Sequence, residues 1–153
     1  MLRKLNFFLV ACGIALAGAM ISVEAMAQEK TKIQNDPEIF QAFGGKAGLV
    51  AIMNDFMVGL LADKRTAPFF KDTDNDRVKE QLVDQICEIL NGGCVYKGAK
   101  MKPMHAEMGI NREHFNGLVE QLQLAMDKNK VPFRAQNKLL AVLAPMHRDI
   151  ITK

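Results

Sequence analysis

Apolar residues recur at helical spacing along most of this chain, and nowhere do they alternate in the two-residue rhythm of a strand. The clearest run lies between Lys46 and Leu61, where Leu49, Val50, Met53, Phe56, Met57, Leu60 and Leu61 share one wide face. Before it, Asp36, Pro37 and Glu38 predict the start of a short helix with a capping acid and a first-turn proline, stopped by Gly44 and Gly45. A third helix runs to about Leu90, with Val78, Leu82, Ile86 and Ile89 on its stripe and Gln81 beside it. Asn91, Gly92 and Gly93 end it where positive φ is needed. Asn111 is placed to cap a helix through about Lys128, with Phe115, Leu118, Val119, Leu122 and Met126 inward. After Val131 and Pro132 the last helix carries Leu139, Leu140, Val142, Leu143, Met146 and Ile150, with a kink expected at Pro145. Four main helices, short connectors and no internal repeat predict an all-α domain.

The first 27 residues follow a different logic. Arg3 and Lys4 precede an apolar run from Phe7 to Val23, and Ala25, Met26 and Ala27 form an Ala-x-Ala cleavage site before Gln28. This is the pattern of a bacterial secretory signal peptide and implies a periplasmic protein that meets the membrane only through that segment. An uncleaved anchor fits less well, because small residues interrupt the run; lipid attachment at Cys12 is a minor alternative, since the apolar run continues well past it. The expected organisation is a signal peptide at 1–27, a flexible polar segment at 28–35, and one globular domain at 36–153, long enough to bury a core.

The whole chain has a formal net charge of +3, and loss of Arg3, Lys4 and Glu24 leaves it at +2. The lysines are dispersed and not interleaved with aromatic residues, so no nucleic-acid surface is implied. Cys87 and Cys94 are spaced neither as a C-x-x-C-H haem attachment nor as a zinc pair. They could bridge a helix end to the following loop in an oxidising compartment or stay as two free thiols, and the sequence leaves both open. Asp72, Asp74 and Asp76 open like a calcium loop, but Arg77 stands where that loop needs glycine and Val83 where it needs glutamate. The segment reads as a polar turn and helix cap.

Candidate chemistry centres on His105. Pro103 suits the first turn of a helix and Gly109 its end, so a short helix presents the imidazole among Met101, Met104 and Met108, with Lys97, Lys100 and Lys102 near by. Soft apolar surface, positive charge and a neutral imidazole are the groups that an apolar disc with two rim carboxylates and an iron atom needs. His114, by contrast, reads as a packing or surface residue.

The order of further residues sharpens this. Phe43, Gly44 and Gly45 precede the long helix. Leu61, Ala62 and Asp63, then Ala67, Pro68, Phe69 and Phe70, follow it. Next come Gly92 and Gly93, the run Tyr96, Lys97 and Gly98, and the run from Met101 to His105. The series closes with Gly109 and Ile110, His114 and Phe115, Val131 and Pro132, and Leu143, Ala144 and Pro145. Over about residues 38–152, without a gap, this resembles the group I truncated haemoglobins. The resemblance implies a two-over-two helical sandwich around a non-covalent haem b, with His105 as the proximal iron ligand. Phe69, Phe70, Tyr96, Met101 and Phe115 would touch the cofactor, and Phe56, Met57, Val78, Gln81 and Leu82 would form the distal wall.

Here the chain departs from the family pattern, which usually places tyrosine where Met57 stands and often glutamine where Val78 or Leu82 stands. A mostly apolar distal pocket favours reversible binding of O₂, NO or CO over nitric oxide dioxygenase or peroxidase chemistry, because a donor stabilises the bound oxygen that such chemistry needs. A His/Met-ligated electron carrier closed by Met57 and a haem-free helical interaction protein are the other readings. A redox partner and a monomer or weak dimer complete the expectation. In cyanobacterial relatives a histidine of the last helix bonds a haem vinyl; that register falls on Met146 here, so His147 does not inherit the role.

Overall fold

In the computed structural model, which describes residues 32, 33 and 36–153, the long apolar run becomes a helix over Gly45–Ala62 that carries the rest of the fold. Numbered in chain order, the helices are α1 (Ile39–Ala42), α2 (Gly45–Ala62), α3 (Ala67–Phe70), α4 (Asn75–Ile89), α5 (Met101–His105), α6 (Arg112–Lys128), α7 (Phe133–Leu143) and α8 (His147–Ile150), with a 3₁₀ turn at Ala144–Met146 joining the last two. No strand occurs among the described residues.

α2 packs against both α4 and α6, and α6 in turn against α7, which gives two helix pairs laid one on the other. The apolar stripe of α2 supplies Leu49, Ile52, Met53, Phe56, Met57 and Leu60 to the core. α4 adds Val83, Ile86, Cys87 and Ile89; α6 adds Leu122, Ala125 and Met126; α7 adds Leu139. α2 and α6 meet closely at Gly59, where a Cβ would stand 2.4 Å from Gln121 Oε1 and push that side chain aside. The entry to α2 depends on Gly44, whose φ of 74° any larger side chain would resist.

Several boundaries have visible causes. Asp74 accepts the Arg77 N–H at 3.1 Å and caps α4, as the acidic turn predicts. At α6, the Asn111 side chain accepts the His114 N–H at 3.0 Å, while His114 Nδ1 accepts the Asn111 N–H at 3.3 Å, a reciprocal capping box. His114 therefore has a structural job in addition to packing. Past α4, Asn91 (φ 56°) and Gly93 (φ 81°) turn the chain as expected. Cys87 and Cys94 form a disulfide, with Cα atoms 5.7 Å apart, so the open choice resolves to the bridged form.

Other expectations need correction. Asp36 does not cap α1; its carboxylate is taken by Lys138 of α7, and Ile39 N–H bonds to the Asp36 backbone carbonyl instead. The final helix is broken, not merely kinked: Pro145 sits inside the 3₁₀ turn, and the chain restarts as α8. α5 begins at Met101, so Pro103 is its third residue, still within the first turn whose N–H groups lack helical partners. It ends at His105, four residues before Gly109. On α4, Val78 and Leu82 stay half-buried while Val83 and Cys87 go inside. In the segment expected to be flexible, Ile33 is docked: it is buried, its N–H bonds to Ile89 O at 2.9 Å, and its carbonyl accepts Asn91 Nδ2 at 2.6 Å. The signal peptide expected at 1–27 lies outside the described residues.

Candidate functional site

His105 is the last residue of α5, and its ring is tied back one helical turn: Nδ1 lies 2.7 Å from the Met101 carbonyl oxygen. A carbonyl only accepts, so Nδ1 carries a proton, and in the neutral ring Nε2 is then the nitrogen with the lone pair. This is the arrangement by which proteins fix the tautomer and orientation of an imidazole that is to bind a metal. The ring is half-buried, and α5 as a whole buries none of its residues. α5 packs on α8, so the histidine is mounted at the rim of the core instead of within it.

The loop leading to α5 is fixed by three tethers. Cys94 is bonded to Cys87 of α4, Tyr96 N–H donates to Glu88 Oε2 at 2.9 Å, and Tyr96 Oη donates to Ala99 O at 3.0 Å. The Tyr96 amide holds the Glu88 carboxyl below its usual range, against the opposing effect of burial and with help from Lys32. Burial pushes the Tyr96 phenol upward. Tyr96 is the single tyrosine of the chain, and its hydroxyl is committed here.

The remaining candidate residues fall into two groups. On one side, Met57 is buried on α2, Phe70 on α3 and Val78 and Leu82 on α4 pack partly covered against the same core, and Gln81 of α4 is half-buried. On the other, Met101 and His105 on α5 and Phe115 on α6 are half-buried, and Phe115 meets the His147 ring of α8 edge-on at 6.3 Å between centroids. Phe69 turns away from its neighbour Phe70, its ring lying 4.9 Å from that of His114. Phe56 is fully inside. Of the α4 and α2 side chains named for the distal wall, Gln81 is the one that carries a donor.

Half-buried apolar side chains that sequence periodicity assigned simply to helix faces join these groups: Leu118 of α6, Val142 and Leu143 of α7, and Met146 of the 3₁₀ turn all rest partly uncovered against the core. Their signal was present as apolar periodicity, but periodicity does not separate a residue sealed in a core from one left half-covered at a cleft.

A different cleft, about 380 Å³ and wide open, is lined by Asp63, Lys64, Arg65, Glu113 and His114. It is polar and its charges answer each other: Arg65 Nη2 lies 2.6 Å from both Asp63 Oδ2 and Glu120 Oε2. Arg65 and Gln121 hold the Asp63 carboxyl far below the usual carboxylate range. It offers no apolar wall and no metal ligand set; no group of three or more candidate metal-binding side chains occurs among the described residues.

The sequence profile of the bacterial-like globins matches residues 38–152. The chain belongs to this family, as a group 1 truncated haemoglobin. It is 32% identical to the group 1 truncated haemoglobin of Mycolicibacterium paratuberculosis over 114 residues, covering 74% of this chain and 84% of that protein. It is 30% identical over 120 residues to that of Tetrahymena pyriformis, covering 78% and 99%. The ferric crystal structure of the Tetrahymena pyriformis protein superimposes with a TM-score of 0.71, covering 75% of this chain and 98% of that one. A Synechococcus 2/2 haemoglobin with covalently attached haem, 21% identical, matches in fold with a TM-score of 0.69.

The expected two-over-two sandwich is thus the fold of this truncated haemoglobin, and family membership implies a haem cofactor. The residues present fit one. His105 offers a single oriented nitrogen lone pair, and half-buried apolar side chains on four helices offer surface that a large apolar ring would cover.

Proposed function

We propose that this truncated haemoglobin holds a non-covalent haem b through His105 Nε2 and reversibly binds O₂, NO or CO on the opposite face, acting in the periplasm. The hydrogen bond from His105 Nδ1 to Met101 O carries the reading, because it leaves one imidazole nitrogen unprotonated and aimed by its own helix. The haem supplies an iron atom able to take a diatomic gas; the protein supplies the oriented ligand, the apolar surroundings and the exclusion of water.

The distal side supports binding over turnover. Met57, Val78 and Leu82 have no N–H or O–H to offer a ligand that develops negative charge, and the sole tyrosine hydroxyl is used at Ala99. Gln81 is the remaining donor. Dioxygenase or peroxidase chemistry would draw on donors that this wall lacks.

The test is the absorption spectrum of the purified protein after haem addition, followed by CO titration of the reduced form. A Soret band that shifts on CO addition supports the proposal, and no Soret band after reconstitution would overturn it. For location, the readout is recovery of cleaved protein beginning at Gln28 in a periplasmic fraction; full-length protein retained with membranes would overturn that part.

A further inference from the structure

Around the helix that presents His105 lies a surface of unusual composition. Residues 95–112 contain four basic side chains, Lys97, Lys100, Lys102 and Arg112, against one acidic, Glu107. The three lysines are exposed, and none makes an ion pair among the described residues, whereas lysines elsewhere, such as Lys46, Lys79, Lys128 and Lys138, are engaged by carboxylates. Lys153 adds to this face, its side chain lying against Gly109. Between the cations sit exposed apolar side chains, Val95 (64% exposed), Met104 (56%) and Met108.

Exposed apolar side chains interspersed with cations that make no ion pair are the composition of a protein docking surface, not of an idle solvated loop. The backbone beneath it is held by the disulfide at Cys94 and by both hydrogen bonds of Tyr96, so the surface is organised before any partner arrives. Met104 and His105 are adjacent in α5, which puts this face next to the proposed iron ligand.

We propose that this face docks an acidic one-electron carrier protein that reduces the haem iron. The inference rests on the haem reading above. It follows because reversible O₂ binding requires ferrous iron, and iron lost to the ferric form regains function when one electron arrives from a reduced donor. The donor is oxidised by one electron as ferric iron becomes ferrous, and no bond to the protein forms or breaks. Size also favours this occupant: transient electron-transfer contacts bury little surface, at the low end of interface areas, and a patch of three apolar and five cationic side chains meets that need without supporting a permanent complex. The two carboxylates on a haem rim would neutralise at most two of these cations, so the face stays positive in the haem-loaded protein.

The experiment uses ferric haem-loaded protein and a reduced, acidic [2Fe–2S] ferredoxin as probe, with stopped-flow reduction at low and high salt. A photogenerated neutral deazaflavin radical serves as a reductant that needs no docking. With wild-type protein the ferredoxin rate should fall steeply with salt. The combined change Lys97→Glu, Lys100→Glu and Lys102→Glu should lower it about tenfold or more at low salt and flatten its salt dependence, within the range that electrostatic steering spans. The deazaflavin rate and the haem dissociation rate should change little. A control of equal net charge, Lys64→Glu, Lys71→Glu and Arg134→Glu, should keep most of the rate. Low-salt titration of unreactive oxidised ferredoxin should broaden amide signals of Val95 and Met104 selectively.

A ferredoxin rate insensitive to salt, or reduced equally by both triple variants, would overturn the docking surface. So would fast haem loss from the first variant with normal reduction of what remains, which would make these lysines cofactor partners only. Those outcomes leave the wild-type Soret band intact and so differ from failure of the haem reading itself, in which no Soret band forms in the wild-type protein.

Discussion

His105 Nδ1–H donates a hydrogen bond to the backbone carbonyl of Met101, the residue four before it on the same short helix. The ligand and the group that orients it are therefore one rigid unit, and the partner is a backbone carbonyl that no substitution removes. His105→Gly should abolish stable haem binding or restore it only with added imidazole. His147→Ala should leave the Soret spectrum unchanged. His114→Ala should also leave it unchanged while costing about 1 kcal/mol of stability through the lost capping box at Asn111, measured by urea unfolding. Equal spectral loss in all three variants would put the proximal ligand elsewhere.

The distal wall makes a second prediction. With Gln81 as the only donor among the side chains proposed for it, bound O₂ should leave quickly, and Met57→Tyr, which adds a hydroxyl from a buried position on α2, should slow release by about tenfold or more, the value of a hydrogen bond to a charged acceptor. Stopped-flow O₂ displacement by CO reads this directly. The ferric spectrum of wild-type protein adds a separate check on Met57. Low-spin haem with a far-red sulfur-to-iron band, abolished by Met57→Ala, would make it an axial ligand and turn the function toward electron transfer. High-spin or water-bound haem, unaffected by that change, keeps it as packing.

The disulfide closes a small loop between α4 and the segment leading to α5. Cys87→Ser with Cys94→Ser should lower stability by about 2 to 3 kcal/mol on the chain-entropy relation for a loop of this size, measured by urea unfolding with and without reductant. Reductant should lower the wild-type midpoint and leave the variant where it is. Unfolding midpoints that coincide in all four conditions would mean that the bridge does not constrain the folded chain.

Asp63 supplies a pH dependence. Arg65 and Gln121 hold its carboxyl far below the usual range, so its folded value lies under its unfolded one. Its contribution is therefore present above the ordinary aspartate range and is lost as pH falls through and below that range. Thermal unfolding followed from pH 7 to pH 2 should show a fall in Tm toward acid that Asp63→Asn flattens, with the variant a few degrees less stable at neutral pH. Parallel curves would assign the acid dependence to other carboxylates, with Asp36 and Asp55, both held low by lysines, the next to test.

The long helices were legible because each carries its own apolar periodicity, with side-chain caps marking the starts of α4 and α6; α2 and α6 follow the pattern to within a residue or two. What escaped was decided between distant segments. Nothing near Ile33 marks it as docked, since its partners Ile89 and Asn91 lie more than fifty residues on. Asp36 looks like a helix cap until Lys138 is brought beside it. The short helix that ends at His105 could be read from Pro103 and its neighbours, whereas the candidacy of His105 as a ligand came from the family resemblance of the whole series. The bond to Met101 could not be read, because any histidine four residues along a helix has that carbonyl within reach and burial decides whether water takes its place. The pairing of Cys87 with Cys94 likewise turned on a Cα separation that spacing alone does not give.

α5 is five residues long, seals no side chain into the interior and leans on α8, itself only four residues. In mechanical terms His105 stands on a bracket: its base is pinned to α4 through Cys94 and Tyr96, while its own side chains are not keyed into the interior. A small change of tilt here would open no gap among α2, α4 and α6, so a haem held by His105 should exchange its gas without repacking the core.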